Sequence, residues 1–188
     1  MTDNTYSWMK ALQRALKRNR REPFSRYFQL ASVDDEGVPR VRTVVFRGMA
    51  ADGESLLLIT DGRSSKVEQV KQRAAVEICW YFTISREQFR ISGAIACHTP
   101  EDDPLGERAR VWSGLSAAAR AQFFWPTPGA PLEGHPAKTV ADEASMPDNF
   151  WVLAVRPEQI DHLVLSKQQQ RTISTRGAVR WQWNAVNP

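Results

Sequence analysis

Cysteine is nearly absent: the 188 residues hold two, Cys79 and Cys97, with no C-x-x-C pair and no histidine near them at metal-ligand spacing. That excludes a disulfide framework and gives no sign of a zinc site, and both thiols read as small buried hydrophobes. Also missing is any uncharged apolar run long enough to span a bilayer, and the opening MTDNTYSWMKALQRALKRNRR lacks the unbroken apolar core of a secretory signal. A cytoplasmic protein with no membrane partner is therefore expected. Internal repeats are lacking too. Acidic residues fall slightly short of basic ones, 21 against 25, and the net charge of +4 sits largely in the N-terminal stretch. Such a balance suits a polyanion, but a phosphate-bearing small molecule serves it equally well. No aromatic residues interleave with the N-terminal cations, which counts against a nucleic-acid-binding module.

What the chain does have is ordinary globular composition, 42% apolar and 24% charged, in a length that suits one domain over 1–188. Within 1–22, Trp8, Met9, Leu12 and Leu16 recur at helical steps with Lys10, Arg14, Lys17 and Arg18 between them, which predicts an amphipathic helix ending before Pro23. From Phe24 to Ile95 the pattern becomes β-rich runs parted by turns: RYFQLASV, VPRVRTVVFR, LLLIT, AVEICWYFT and EQFRISGAIAC, with a helical stretch from Ser64 to Gln72 that turns Val67 and Val70 inward. Helical character returns from Asp103 to Phe124, where Leu105, Ala109 and Trp112 share a face. Residues 126–149 form a long Pro- and Gly-rich loop, after which FWVLAV, QIDHLVL and the Trp-rich ending AVRWQWNAVNP add strands. The expectation is a mainly β protein, an antiparallel β-barrel of six or more strands with flanking α-helices, because closing such strands removes exposed edges.

The stretch LLLITDGRSSKVEQV concentrates hydroxyls and cations where a strand passes into a helix. A phosphate dianion asks for backbone N–H groups at a helix start, hydroxyl donors and cations, and Thr60, Arg63, Ser64, Ser65 and Lys66 offer that set. The plainer reading is a solvent-facing helix start in which Ser64 caps and Arg63 and Lys66 are merely hydrated. The preceding strand carries Arg40, Arg42 and Arg47, and an arginine in a half-buried strand needs a fixed partner, either a ligand or the protein's own acids. Strict alternation sets Arg42 and Arg47 on opposite faces, so a shared ligand requires a bulge or an edge between them. Gln88 interrupts a strand that otherwise alternates Phe89, Ile91 and Ala94 with polar residues. Its amide both donates and accepts, which suits the edge of a heteroaromatic ring, although a surface glutamine accounts for it too.

Taken in order, VRTVVFR, LLLITDGRSSK, a strand ending CWYF, and EQFRISG resemble the pyridoxamine 5′-phosphate oxidase family of flavin-binding split barrels. That family runs from an R-x-V-L-L-K-like strand through a T-N-x-x-S-x-K phosphate segment to an R-Q-V-x-x-x-G strand, and the patterns align without a gap from Arg42 to Gly93. The resemblance implies an FMN-binding split barrel that is a homodimer, with FMN at the subunit interface and residues of both chains in each site. It implies that Arg42, Thr43, Val44 and Val45 line the flavin and its phosphate, that Thr60, Ser65 and Lys66 hold the ribityl phosphate, and that Gln88 touches the isoalloxazine. Trp151, in DNFW, becomes a flavin neighbour, with an ordinary core tryptophan as the alternative. Arg47, Trp112 and Arg120, with Trp125 nearby, fall where family members contact a small-molecule substrate.

The chain also departs from the pattern. Asp61 stands where the family commonly has asparagine and Ser65 where it often has arginine, a loss of positive charge that Arg63 is placed to compensate. RPEQIDHL replaces the R-x-H-x-R motif of the oxidases, leaving Arg156 and His162 at other spacings, and Ala185 replaces an arginine in the C-terminal motif. Pyridoxamine phosphate oxidation itself does not follow from this sequence. The implied activity is that of an oxidoreductase whose FMN accepts a hydride from a small substrate, with no side chain reading as a dedicated general base. The alternatives are a non-catalytic FMN carrier or sensor, and a relative using a deazaflavin or haem. His98, ending a strand, reads as structural, while His135 reaches a site only if the Pro-rich loop folds over it.

Overall fold

The computed structural model of the chain describes residues 6–132 and 145–188. Along the chain these form α1 (Trp8–Arg18), β1 (Tyr27–Val33), β2 (Pro39–Val45), β3 (Gly48–Met49), β4 (Leu56–Asp61), α2 (Ser65–Gln72), β5 (Ala75–Phe82) and β6 (Glu87–His98). Then follow α3 (Glu107–Ser113), α4 (Ala117–Ala121), a 3-10 turn (Gln122–Phe124), β7 (Phe150–Val164), β8 (Gln170–Arg176) and β9 (Trp181–Val186). His135 and much of the Pro-rich loop lie outside the described residues.

The nine strands among the described residues make one antiparallel sheet in the order β2-β1-β5-β6-β7-β4-β3, with β8 and β9 branching from β7. The sheet curls until its ends meet: Arg47 N, just past β2, donates to Leu57 O of β4 at 2.8 Å. That closure is a split barrel with helices packed around it. No helix among the described residues is long and apolar enough to cross a membrane.

The run Leu56-Leu57-Leu58-Ile59 follows from where β4 lies. Leu56 and Leu58 point into a core with Phe28, Leu30, Ile78, Trp80, Phe89 and Ile91, while Leu57 points the other way into a second core with Val111, Trp112, Phe123, Phe150 and Val152. A strand covered on both faces reads as an unbroken apolar run, not as an alternation. Burying each such side chain contributes about 1.5–3 kcal/mol, so β4 is held from both sides before it delivers Thr60 and Asp61 at its end.

Helix α1 closes the first core with Trp8, Ala11, Leu12 and Ala15; of the residues its spacing singles out, Trp8 and Leu12 are buried, while Met9 and Leu16 pack against the core partly buried. Asn19, which caps the C-terminal end of α1, donates from Nδ2 to Ala15 O at 2.8 Å and to Ser85 Oγ at 2.9 Å, and its Oδ1 accepts from Ile84 N, which fastens the helix to the β5–β6 turn. Strands β6 and β7 pair almost throughout, with a register shift at Ser92/Gly93. A Cβ on Gly93 would stand 2.2 Å from Arg156 O, so this close crossing accepts only glycine.

Several expectations are corrected. FWVLAV and QIDHLVL are one strand, because Pro157 falls beside the β6 bulge, where its missing N–H interrupts no regular ladder. Strand β8, rich in hydroxyls and arginine, carries no apolar alternation to read and exists as the partner of β7 and β9. On α3 the buried positions are Glu107, Arg108, Val111 and Trp112, whereas Leu105 and Ala109 face outward. The polar pair is buried because each is satisfied: Glu107 accepts from Ala51 N at 2.6 Å and from Arg110 Nε at 2.7 Å, and Arg108 Nε donates to Phe150 O at 2.8 Å. Cys79 and Cys97 are half-buried and unpaired, with burial pushing both thiols up from their ordinary pKa.

Candidate functional site

Where β4 ends, Thr60 Oγ1 lies 3.0 Å from Ser64 Oγ, and Lys66 Nζ donates to both hydroxyls at 2.9 and 3.0 Å. Ser64 occupies the position before α2 yet makes no capping hydrogen bond. The plainer reading, in which Ser64 caps and Lys66 is hydrated, therefore fails. The hydroxyl turns instead toward the ammonium, leaving the first N–H groups of α2 without a side-chain cap. Burial pulls the Lys66 ammonium below its ordinary pKa, Arg42 adds to that, and Asp61 opposes it.

Arg42 reaches the same corner from β2. Its Nη1 donates to Ser32 Oγ at 2.6 Å and to Leu30 O at 3.3 Å, and its Nη2 donates to Gln69 Oε1 at 2.8 Å. These neutral acceptors orient the guanidinium without cancelling its charge. Arg40, by contrast, pairs with Asp34 at 2.7 Å and is explained by the protein's own acid. Strand β2 stops at Val45, so the alternation that separates Arg42 from Arg47 does not extend to Arg47. Both line one cavity of about 700 Å³ with Thr43, Val44, Val45, Thr60 and Lys66. The Nε of Arg47 is buried with no hydrogen-bond partner among the described residues, and burial, then the charge of nearby Arg26, pulls this guanidinium down from its ordinary pKa.

The remaining walls come from Ile59, Ser64, Ser65 and the segment from Gln122 to Gly129, including Trp125. Asp61 also borders the cavity, but Arg63 holds it by two contacts at 2.7 and 3.0 Å, and Asn149 Nδ2 donates to it at 2.9 Å. Burial pushes this carboxyl up, and the hydrogen bonds from Arg63 and Asn149 more than offset it, so its pKa lies below the ordinary value. The compensation between Arg63 and Asp61 read from the sequence thus takes the form of an ion pair.

Not every residue suggested by the sequence meets here. Gln88 stands on β6 opposite Tyr81 and Leu163 and is not on the cavity of its own chain. Trp151 pairs with Thr60 across β4 and β7, but its indole lies over Gly62, where a Cβ would come within 2.7 Å of Nε1, and Lys71 Nζ sits 4.6 Å from the ring. Trp112 packs edge-on against Phe150 and Phe123, with the Arg120 guanidinium 5.3 Å from its ring, behind the wall and not on it. His98 is buried 3.2 Å from Asp103. His162 Nδ1 is 2.8 Å from the Tyr6 hydroxyl and its Nε2 is 3.0 Å from Glu87, a buried relay that joins the start of the described chain to β6 and β7. Sequence reasoning missed Ser32, Gln69 and Asn149, whose roles depend on partners far along the chain and leave no local signal.

An antiparallel split barrel with cations and hydroxyls gathered at a strand-to-helix turn is suited to a phosphate-bearing ligand. The family model described as pyridoxamine 5′-phosphate oxidase, FMN-binding domain, matches residues 5–99, and the chain belongs to that family, whose cofactor is FMN. Pyridoxine/pyridoxamine 5′-phosphate oxidase 2 of Arabidopsis thaliana is 34% identical over 191 residues, covering 96% of each chain. A pyridoxamine 5′-phosphate oxidase-related, FMN binding protein of Nostoc punctiforme has a similar structure, with a TM-score of 0.88 at 40% identity, covering 98% of this chain and 99% of that one. PhzG of Burkholderia lata, solved with tetrahydrophenazine-1-carboxylic acid, shares the fold at a TM-score of 0.81 and 18% identity, covering 99% and 95%.

Proposed function

We propose that the cavity beside Thr60 and Lys66 holds FMN and that the protein is an oxidoreductase whose flavin accepts a hydride from a small substrate. One observation carries the placement. Arg42, Arg47 and Lys66 all face the cavity, and none forms an ion pair with an acid among the described residues. Three desolvated cations without an anion are costly unless a ligand supplies one, and a phosphate monoester does so. In this reading Lys66, Thr60, Ser64 and Ser65 grip the phosphate with Arg42, while Thr43, Val44 and Val45 run along the rest of the cofactor. When bound, FMN supplies two-electron redox chemistry, and the chain's part is to fix its position and exclude water. Arg47 is left to meet an anionic or polar group of the substrate.

Gln88 and Trp151 fit this reading through a second copy of the chain, since a site shared between two subunits draws on residues that one chain keeps apart. A homodimer with FMN at its interface is therefore part of the proposal. Among the described residues no histidine lines the cavity, and its one carboxylate, Asp61, is engaged by Arg63 and Asn149. Hydride transfer without a dedicated protein base is the chemistry that suits such a lining.

The test is a titration of flavin-free protein with FMN and with riboflavin, followed by flavin fluorescence. Tight uptake of FMN and much weaker uptake of riboflavin is expected, since the latter lacks the phosphate. Equal affinity for the two ligands rules out this cavity as the phosphate site.

A further inference from the structure

Three segments far apart in sequence converge beside the cavity through one carboxylate. Arg63 Nη2 donates both to Asp61 Oδ2 at 2.7 Å and to Trp125 O at 2.9 Å. Asn149 Nδ2 likewise donates both to Asp61 Oδ2 at 2.9 Å and to Phe123 O at 2.9 Å, while Asn149 O accepts from Gly62 N at 2.8 Å. The carbonyls of Phe123 and Trp125 are thus held by two side chains that both rest on Asp61. Those carbonyls belong to the segment that, from Gln122 to Gly129, walls the cavity opposite β2. Trp125 is itself 57% exposed and contributes almost no burial to fix this wall. At this end the wall is held by charge-assisted hydrogen bonds together with the buried Phe123 ring and the partly buried Phe124, both packed against the second core.

We propose that Asp61 is a positioning residue that ties the 122–129 wall to the Thr60–Lys66 turn and so sets how fast the cofactor leaves. The inference rests on the FMN site proposed above. It also explains why an acid is tolerated next to an anion: Arg63 neutralises it, Asn149 hydrogen-bonds it, and its work is done on the wall, not on the ligand. Replacing the carboxylate by an amide keeps the shape and one acceptor but removes the ion pair, so Arg63 is released from Asp61 and from Trp125 O together.

The experiment compares wild type with Asp61→Asn in the full chain by amide hydrogen exchange on flavin-free protein and by FMN release into excess apo-acceptor. Exchange across 122–129 should rise about tenfold while protection in β6 and β7 stays unchanged, and FMN release should accelerate by about the same factor. Arg63→Gln, at a partly exposed position, provides a second variant that should reproduce the effect if Asp61→Asn folds poorly. Unchanged exchange across 122–129 in both variants overturns the tie. A wild-type protein that takes up no FMN overturns the cofactor placement instead, and the flavin-free exchange still decides the tie.

Discussion

On β7, Asp161 accepts from Arg90 of β6 and from Arg171 of β8 at 2.9 Å, and Glu54 accepts from Arg176 at 2.7 Å. At the cavity, Arg42 rests on neutral oxygens, Lys66 on two hydroxyls, and Arg47 Nε on nothing among the described residues. The two regions use the same side chains for different ends. Around Asp161 the chain supplies its own counter-charge and the cations fasten strands; at the cavity no acid among the described residues pairs with Arg42, Arg47 or Lys66. An arginine count says nothing about which is which, and the identity of the acceptor atom decides it.

The strongest way to break this contrast is to remove the unpaired charges. Arg42→Ala with Lys66→Ala should weaken FMN binding by about 10²–10⁴-fold, because two charge-assisted hydrogen-bonding groups at about 1.5–3 kcal/mol each are lost. Riboflavin affinity should move far less, and fluorescence titration of both ligands reads the difference. Flavin occupancy equal to wild type would show that these cations are structural after all.

Next in size is the opposite experiment, on the paired side. Asp161→Asn leaves Arg90 and Arg171 without their acid and should lower unfolding stability by about 1–3 kcal/mol, since the acid is buried but both arginines reach solvent. A urea midpoint measures this, and FMN affinity should stay within the error of the titration. Loss of flavin in this variant would erase the distinction between the two regions.

The smallest effect sharpens the comparison through pH. With the folded pKa of Lys66 held below its ordinary 10.5, the unfolded chain binds more protons than the folded one between the two values. Flavin-free stability should accordingly rise with pH across that interval, while FMN affinity falls as the ammonium loses its proton. Opposite slopes in thermal melts and in flavin titrations are the signature, and a Lys66→Met variant should lack both. Slopes of the same sign would mean that Lys66 does not face the phosphate.

Much of the fold could be read from local pattern. The amphipathic character of α1, the inward valines of α2 and the alternating strands β1, β5 and β6 follow directly from periodicity, whereas β4 is legible as an unbroken apolar run bounded by turns. Strand β8 could not be read, since its stability comes from its neighbours on both sides and its own residues carry no apolar signal. The buried Glu107 and Arg108 were hidden for the same kind of reason: besides the neighbouring Arg110, distant backbone atoms, Ala51 N and Phe150 O, make their burial acceptable. At the site, Arg42, Thr60 and Lys66 announced themselves by type and order. Arg47 needed the knowledge that β2 ends at Val45, and Ser64 needed the knowledge that its hydroxyl declines the helix N-terminus.

Because β4 is enclosed by core on both faces and ends in the hydroxyl–lysine corner, any anion gripped there is fastened to one of the most deeply buried strands of the barrel. Occupancy and folding are then linked equilibria, with ligand at 100 times its dissociation constant adding about 2.7 kcal/mol to the unfolding free energy. A cell short of riboflavin would hold this protein in its most protease-sensitive form, so the abundance of the chain would itself track the supply of its vitamin.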